Sequence, residues 1–288
     1  MIRVLVLGGN GQLGTELSRS AKPNLDLVFC GSKQVDVTNE QSVSEAFNFF
    51  KPDWVVNAAA YTAVDRAEDE EEFAVQVNTI GACIVAKACS LAGIKLVHVS
   101  TDFVFGESSG RAIPPDAQII PMSVYGKTKA DGEALVLKEC PNSVIVRTSW
   151  LYSSHSPCFL RTMIRLMNER DSLGVVSDQI GTPTACNTLA NWILASVENE
   201  YSGIYHVSDL GVASWYDFAK AIYDIGQDTG LITSSCKINP ILTIDYPTAA
   251  VRPFFSVLAT EKSYSLPGAD FGAHWRDTLE KTMKEIIK

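Results

Sequence analysis

A tyrosine and a lysine stand four positions apart in the stretch VYGKTK, which covers residues 124–129. If this stretch is helical, Tyr125 and Lys129 lie beside each other, because positions i and i+4 are neighbours on a helix face. A nearby ammonium group favours the phenolate and so lowers the phenol pKa from its ordinary value of about 10. The pair could therefore donate a proton near neutral pH, although the same spacing is common on solvated helix faces.

A glycine-rich turn follows the first apolar run of the chain, in the stretch RVLVLGGNGQLG at residues 3–14. Gly9, Gly11 and Gly14 satisfy the pattern G-x-G-x-x-G. Gly8, Gly11 and Gly14 satisfy the pattern G-x-x-G-x-x-G. Backbone amides of such a turn can face a pyrophosphate at a helix N-terminus, and glycine permits the close approach. Any tight strand-to-helix turn needs glycine, so the pattern indicates nucleotide binding chiefly because it occupies the first βα turn.

The end of the second apolar run bears on the choice of cofactor. An NAD-specific site usually holds the ribose 2′-hydroxyl with an acidic residue there, but Cys30 stands in that place and Ser32 and Lys33 follow it. A hydroxyl and an ammonium can both donate to a 2′-phosphate. The sequence therefore predicts a preference for NADPH, with NADH possibly still usable, although Lys33 could equally be a solvated loop residue.

Short β-branched runs alternate with longer amphipathic segments in the first half of the chain. The runs are RVLVLG 3–8, LDLVFC 25–30, DWVVNAA 53–59, KLVHVS 95–100 and NSVIVRTS 142–149. This rhythm predicts an α/β first half with a mostly parallel sheet covered on both faces. With the glycine turn after the first strand, we expect a Rossmann-type doubly wound parallel sheet and a smaller C-terminal substrate-binding domain. We expect residues 1–150 to form the NADP-binding domain, with a return around 186–208, and residues 151–288 to be mainly the substrate-binding domain.

The second half of the chain has a looser pattern. It predicts helices over residues 158–169, 189–198 and 275–288, a strand GIYHVS at 203–208 that could rejoin the sheet, and irregular binding loops at 238–254 and 265–275.

Composition narrows the classes of function. The 288 residues carry a net charge of −9 and no block of basic residues, so nucleic acid is not expected as a partner. The first apolar run has about six residues, too few for a signal-peptide core or a membrane span, so we expect a cytoplasmic protein without a membrane partner. The seven cysteines and four histidines lack CxxC and HxxxH spacing, which predicts reduced thiols, structural histidines and no metal site.

Four motifs, GGNGQLG 8–14, VNAAAYTAVDRAE 56–68, VSTDFVF 99–105 and VYGKTK, together resemble the extended short-chain dehydrogenase/reductase superfamily. With RTSWLY, DQIGTPT and YPTAAVRP, the resemblance narrows to the dTDP-4-dehydrorhamnose reductase family, over essentially the whole chain. It implies NADPH-dependent reduction of the 4-keto group of a dTDP-4-keto-6-deoxy sugar, dTDP-4-dehydrorhamnose to dTDP-rhamnose, for cell-surface polysaccharide biosynthesis. Phe103 departs from the more usual family string STDYVF, so any hydrogen bond from that hydroxyl is absent.

The resemblance also implies roles for individual residues. Tyr125 matches the general acid, Lys129 the residue that lowers its pKa and holds the nicotinamide ribose, and Thr101 the hydroxyl that hydrogen-bonds the substrate carbonyl. Together with the turn and strand-end residues above, the expected cofactor-binding set is Gly8, Asn10, Gly11, Gln12, Leu13, Gly14, Ser32, Lys33, Asp36, Val37, Ala58, Ala59, Ala60 and Tyr61. The expected substrate-binding residues are Val64, Asp102, Trp150 and Arg252.

Some of these residues have a structural alternative, and two other functions remain open. Asp36 could instead cap a helix beginning near Asn39, Thr101 could form only a strand-end turn, and Trp150 could belong to the core. The same Tyr, Lys and Thr could serve an epimerase or bifunctional epimerase/reductase on another nucleotide sugar. The resemblance extends to the regulatory β-subunit of methionine adenosyltransferase, which serves a partner. For an enzyme, the expected partners are a nucleotide-sugar substrate and possibly a second copy of the chain, as a homodimer.

Overall fold

The computed structural model describes residues 1–106, 110–269 and 272–287. The first half contains β1 (Ile2–Leu7), α1 (Gln12–Arg19), β2 (Leu25–Cys30), α2 (Glu40–Phe50), β3 (Trp54–Asn57), α3 (Glu71–Val75), α4 (Ala82–Ala92), β4 (Lys95–Thr101), α5 (Val124–Glu139) and β5 (Val144–Thr148). The second half contains β6 (Leu151–Tyr152), α6 (Phe159–Glu169), β7 (Ser172–Val176), β8 (Ile180–Gly181), β9 (Thr184–Ala185), α7 (Cys186–Glu198), β10 (Gly203–His206), β11 (Ala213–Ser214), α8 (Trp215–Thr229), β12 (Lys237–Ile241), α9 (Glu261–Tyr264) and α10 (Trp275–Ile287).

The central sheet has six parallel strands in the order β2-β1-β3-β4-β5-β10. Side chains of β1 alternate between its two faces, so Val4 and Val6 pack with α1 and α7, whereas Leu5 and Leu7 pack with α2, α4 and α5. Helices therefore cover both faces, which is why the strands are apolar almost throughout. The predicted Rossmann-type fold is confirmed.

The strand order reverses at β1, because the chain leaves it toward β2 on one side and then crosses to β3 on the other. In open α/β sheets, ligands bind outside the carboxyl ends of the strands at such a reversal. The glycine-rich turn follows β1, and the stretch VNAAAY at residues 56–61 continues from β3. These segments therefore meet at the position where the fold favours a ligand.

A second group of elements forms its own hydrophobic cluster. Met163 of α6, Phe218 of α8 and Leu279 of α10 are buried there together with Leu173 of β7. The predicted irregular loop at 238–254 was wrong at its start, since β12 pairs with β7 in a two-stranded parallel sheet. Part of the expected loop at 265–275, Asp270 and Phe271, lies outside the described residues.

The cysteines, two of the histidines and the apolar helical run at residues 71–92 are largely packed inside the protein. All seven cysteines are free and five of them are buried, and His98 and His206 are buried too. The run Glu71–Ala92 is long and apolar enough to cross a membrane by length and composition, but 50% of its most apolar window is buried inside the protein. Ala82, Val85 and Ala86 of this run belong to the hydrophobic core, so packing accounts for its apolar character.

Candidate active site

The glycine-rich turn lies tightly against the end of β3. Gly8 has a φ of 77°, which side chains other than glycine rarely adopt, and a Cβ there would come within 2.7 Å of the Ala58 backbone. Gly11 is the N-cap of α1, and no side chain caps it. The first amides of α1 therefore remain available to an anion, where the helix dipole also favours negative charge.

Two cavities meet at this turn and share Gly8, Gly11, Ala58 and Ala60. The first, about 610 Å³, is lined by the expected cofactor residues Asn10, Ser32, Asp36, Val37, Ala59 and Tyr61. The second, about 560 Å³, is lined by Gln12, Leu13, Gly14, Val64, Thr101, Asp102, Tyr125, Lys129, Trp150 and Arg252. The expected catalytic, cofactor and substrate residues thus line one continuous groove, except Lys33, which is exposed beside Ser32.

This groove fits a dinucleotide of the expected kind. The glycine turn and the α1 N-terminus lie where the two cavities join, so a pyrophosphate there would place a nucleoside in each cavity. Small side chains at Ala58 and Ala60 leave the passage between them open. Among the described residues, no group of three or more His, Cys, Asp and Glu side chains is placed to hold a metal ion.

Asp36 lies at the rim of the first cavity and does not cap α2. Its Oδ1 accepts hydrogen bonds from the backbone amide and the hydroxyl of Thr38, at 2.9 and 2.7 Å. The N-cap is Asn39, whose side chain accepts from the amide of Ser42 at 3.1 Å. The helix-cap alternative for Asp36 was therefore wrong, because a turn at residues 36–38 separates it from the helix.

Tyr125 and Lys129 both belong to α5, so the helix on which their pairing depends is present. The side chain of Ser123 starts this helix by accepting from the amide of Gly126. A Cβ at Gly126 would lie 2.2 Å from the carbonyl oxygen of Phe103, so glycine is needed for α5 to approach the turn after β4. This close approach brings Tyr125 and Thr101 into the wall of the same cavity, where Thr101 acts to lower the Tyr125 pKa.

The pKa of Tyr125 is raised, whereas the sequence predicted that Lys129 would lower it. Burial raises the pKa of Tyr125 to about 12, the Thr101 hydrogen bond acts in the opposite direction, and the Asp102 carboxylate raises the pKa further. Lys129 Nζ instead donates to the carbonyl of Val99 at 2.7 Å. Tyr125 is therefore a phenol that stays protonated at neutral pH, as a proton donor must be.

Asp102 places a carboxylate beside this pair. Its side chain is only 2% exposed, and Oδ1 accepts from the hydroxyl of Thr101 at 3.0 Å. Oδ2 has no hydrogen-bond partner among the described residues, and burial raises the pKa of Asp102 to about 6. The side chains of Ser256 and Thr101 act against this increase, and Asp102 lines the second cavity.

Trp150 follows β5 with a left-handed backbone, φ 46°, which is rare for a bulky residue. Its indole stacks on Trp215, the first residue of α8, and both side chains line the second cavity. Sequence reasoning missed Trp215, because a tryptophan in an amphipathic helix after the capping box of Ser214 and Asp217 reads as a core residue.

Arg252 makes a bidentate pair with Asp65. Its Nη1 and Nη2 donate to the two carboxylate oxygens at 2.9 and 2.7 Å, and the amide of Ala250 also donates to Asp65. Arg252 and Trp215 additionally line a third cavity of about 490 Å³ between α6 and β7, so the groove continues into the C-terminal elements. Asp65 was missed although it follows Val64 directly in the motif, because nothing in the sequence pairs it with a residue so far along the chain.

Comparison with known proteins identifies the family. The family model described as RmlD substrate binding domain matches residues 2–287. A dTDP-4-dehydrorhamnose reductase of Aggregatibacter actinomycetemcomitans is 40% identical, covering 91% of this chain and 92% of that protein. The spore coat polysaccharide biosynthesis protein SpsK of Bacillus subtilis is 37% identical, covering 99% of this chain and 98% of that protein.

A solved structure extends the likeness to the fold. The dTDP-4-dehydrorhamnose reductase of Bacillus anthracis, crystallised in complex with NADP, is 36% identical and superposes with a TM-score of 0.93, covering 99% of this chain and 100% of that one. The alignment spans the glycine turn, the Tyr125 and Lys129 helix and the C-terminal elements alike, since nearly the whole chain is covered. This chain therefore belongs to the dTDP-4-dehydrorhamnose reductase family.

Proposed function

We propose that this protein uses NADPH to reduce the 4-keto group of a dTDP-4-keto-6-deoxy sugar, converting dTDP-4-dehydrorhamnose to dTDP-rhamnose. The observation that carries this proposal is that Thr101, Tyr125 and Lys129 line one cavity, which continues past the glycine turn into a second. Relatives named for this reaction, one of them crystallised with NADP, support the same activity here.

The first cavity and the turn suit the cofactor. The amides at the start of α1 would hold the pyrophosphate, and Asp36 and Val37 would lie against the adenosine. Lys129 would hold the ribose next to the nicotinamide, since its ammonium lies in the second cavity. The nicotinamide, when bound, supplies the hydride that adds to carbon 4 of the sugar.

The side chains around the keto group have separate tasks. Tyr125 gives its proton to the keto oxygen as negative charge develops there, because a phenol with a raised pKa holds its proton until a strong base appears. The hydroxyl of Thr101 donates to Asp102 in this structure and would turn to donate to the same oxygen when the substrate is bound. Lys129 contributes a positive charge in a buried site, where charge stabilisation is strong.

The remaining residues suit the rest of the substrate. Val64, Asp102 and Trp150 line the second cavity and would surround the sugar. Arg252 lines both the second and third cavities, and its Nε hydrogen and second Nη2 hydrogen, which Asp65 and Ala250 do not engage, would donate to the diphosphate between sugar and nucleoside. We place the protein in the cytoplasm. We place its reaction in the supply of sugar for a cell-surface polysaccharide, and the B. subtilis relative, named for spore coat polysaccharide biosynthesis, supports this second assignment.

The test is to incubate the protein with NADPH and a panel of 4-keto-6-deoxy sugar nucleotides, following NADPH absorbance and separating the products. We expect NADPH to be consumed in step with formation of dTDP-rhamnose. Formation of an epimer without NADPH consumption would support the epimerase instead. Absence of turnover with every sugar nucleotide, in a protein that still binds NADPH, would favour a regulatory subunit.

A further inference from the structure

A charged residue lies one helical turn beyond Lys129. Glu133 follows at i+4 in α5, so the two side chains are neighbours on the same face. Lys129 is 2% exposed and Glu133 1%, and Arg147 of β5 beside them is also 1% exposed. Charged side chains are seldom buried to this degree unless they are paired, so this row of three must have a structural or functional reason.

Arg147 holds Glu133 with hydrogen bonds to both carboxylate oxygens. Its Nε donates to Oε1 at 3.0 Å and to Oε2 at 3.2 Å, and its Nη2 donates to Oε2 at 2.7 Å. A bidentate arginine fixes both the charge and the direction of a carboxylate. Glu133 is therefore an oriented anion within α5.

The far side of Arg147 is fixed as well. Its Nη1 donates to the carbonyl of Pro115 at 2.9 Å and lies 3.3 Å from Nε2 of His206. Nδ1 of His206 faces the carbonyl of Ile113 at 3.0 Å, and a carbonyl can only accept, so Nδ1 carries the proton. Nε2 is then the acceptor for Arg147, and burial together with the Arg147 charge lowers the pKa of His206 to about 3, so this histidine stays neutral.

We propose that Glu133 is a positioning residue that keeps the buried ammonium of Lys129 charged during the reaction, and that Arg147 holds the Glu133 carboxylate in place. The role of Lys129 itself rests on the proposed function. Arg147 offsets part of the Glu133 charge, and the three side chains together carry one net positive charge beside the second cavity.

The surroundings of Lys129 make Glu133 its principal electrostatic support. Glu133 of α5 and His98 of β4 interact electrostatically with Lys129, Asp102 in the turn after β4 and Tyr125 of α5 line the same cavity, and Arg147 of β5 binds Glu133. Burial lowers the pKa of Lys129 to about 8, and Glu133 acts against that decrease. Burial and Lys129 lower the pKa of His98, so it is neutral, and Tyr125 is protonated.

The test is the Glu133→Gln variant, which keeps the shape of the side chain and removes its charge. We expect the alkaline limb of kcat/KM to move to lower pH by about one unit, because an opposite charge at this range stabilises a protonated group by that order. NADPH binding, followed by nicotinamide fluorescence, weakens when Lys129 loses its proton. In the variant this weakening should begin at a pH that is lower by the same amount. The binding titration uses no sugar nucleotide, so it separates this proposal from a failure of the proposed reductase activity.

Two further variants serve as controls for misfolding and for the loss of any carboxylate from α5. Glu133→Gln leaves Arg147 buried without its carboxylate, so the double variant Glu133→Gln/Arg147→Met removes both charges and should fold, and its alkaline limb should move in the same direction but less, because the positive charge of Arg147 is removed as well. Asp131→Asn, in the same helix but exposed, should leave the pH profile unchanged. An alkaline limb that stays in place in both Glu133 variants, or one that moves equally in Asp131→Asn, would overturn the proposal.

Discussion

The indole of Trp150 lies flat on the indole of Trp215, with ring centroids 3.6 Å apart and planes only 7° apart. Trp150 holds a left-handed backbone that is unfavourable for a bulky side chain, and a Cβ on the facing Gly181 would be 2.6 Å from its ring. Strain of this kind persists only when neighbours fix it. Trp150 therefore keeps its place in the wall of the second cavity because its indole stacks on Trp215 and because Gly181 has no side chain to displace it.

Replacing Trp215 with alanine should therefore weaken sugar-nucleotide binding although Trp215 is not one of the proposed catalytic groups. A stacked aromatic pair contributes about 1 kcal/mol beyond its buried area, so we expect KM for the sugar nucleotide to rise by about fivefold or more. The dissociation constant for NADPH should stay within about twofold of the parent value, because Trp215 lies outside the first cavity and is not one of the proposed cofactor-binding residues. Steady-state kinetics and NADPH fluorescence measure the two quantities, and Trp215→Phe, which retains a ring, should lie between the parent and Trp215→Ala. Equal KM values in all three proteins would contradict this role.

Replacing Tyr125 with phenylalanine removes the proton donor and keeps the ring, which packs edge to face on Phe103 at 5.5 Å between centroids. Turnover should fall by about 10² or more, because general acid catalysis contributes at least that factor. NADPH affinity should be nearly unchanged. The measurement is single-turnover NADPH oxidation together with a binding titration, and turnover near that of the parent would remove Tyr125 from the proposed mechanism.

The helices, strands and turns that were predicted correctly are those whose sequence patterns involve only neighbouring residues. The glycine turn, the apolar strands and the helix carrying Tyr125 and Lys129 each follow from periodicity or from a turn that needs glycine. The strand β12 was missed because Pro240 and neighbouring polar residues make it resemble a loop, and its pairing with β7 depends on a partner more than sixty residues earlier.

The charge state of the site could not be read from spacing. The i+4 relation of Tyr125 and Lys129 correctly indicated one helix face, but their pKa values depend on burial, which only the packing of α5 on β4 establishes. Arg252 shows the same limit, because its carboxylate partner Asp65 lies in another motif far along the chain. Pairings of this kind become visible only when the chain is folded.

Asp102 offers a test of stability against pH. Its pKa is raised by burial from 3.8 to about 6 in the folded protein, so the folded state binds the proton more tightly than the unfolded state. The stabilisation that this proton provides is present below about pH 4 and is lost as the pH rises through about 6, a difference of about 2 to 3 kcal/mol. Asp102→Asn removes the buried charge and should raise the free energy of unfolding at neutral pH while weakening sugar-nucleotide binding.

Urea denaturation of parent and variant at about pH 5 and about pH 7.5 measures this effect. The variant should gain stability relative to the parent at both pH values, by about half as much at the lower pH as at the higher one. Asp26→Asn is a suitable control, since Asp26 is an exposed carboxylate whose partner, Arg3, lies at the surface. If Asp102→Asn raises the free energy of unfolding by the same amount at both pH values, ionisation of Asp102 is not the cause of the added stability.

The last prediction concerns the choice between NADPH and NADH. Ser32 lines the first cavity and Lys33 is exposed beside it, whereas the strand end at Cys30 carries no carboxylate. A hydroxyl and an ammonium can donate to a 2′-phosphate, so kcat/KM should be higher with NADPH. Because Lys33 is exposed, its charge is screened and contributes at most about 1 kcal/mol, which limits the preference to about fivefold to tenfold.

Added salt should narrow the preference, and Lys33→Ala should narrow it further, since the exposed ammonium is removed from beside the cavity. The experiment measures kcat/KM for both cofactors with one 4-keto sugar nucleotide, in the parent, in Lys33→Ala and in Lys51→Ala, an exposed lysine beyond the end of α2 that should have no effect. Ser32→Ala tests the hydroxyl separately. If NADH matches NADPH in the parent, or if Lys33→Ala keeps the full preference of the parent, the loop after β2 does not recognise the 2′-phosphate, and cofactor choice must depend on another part of the first cavity.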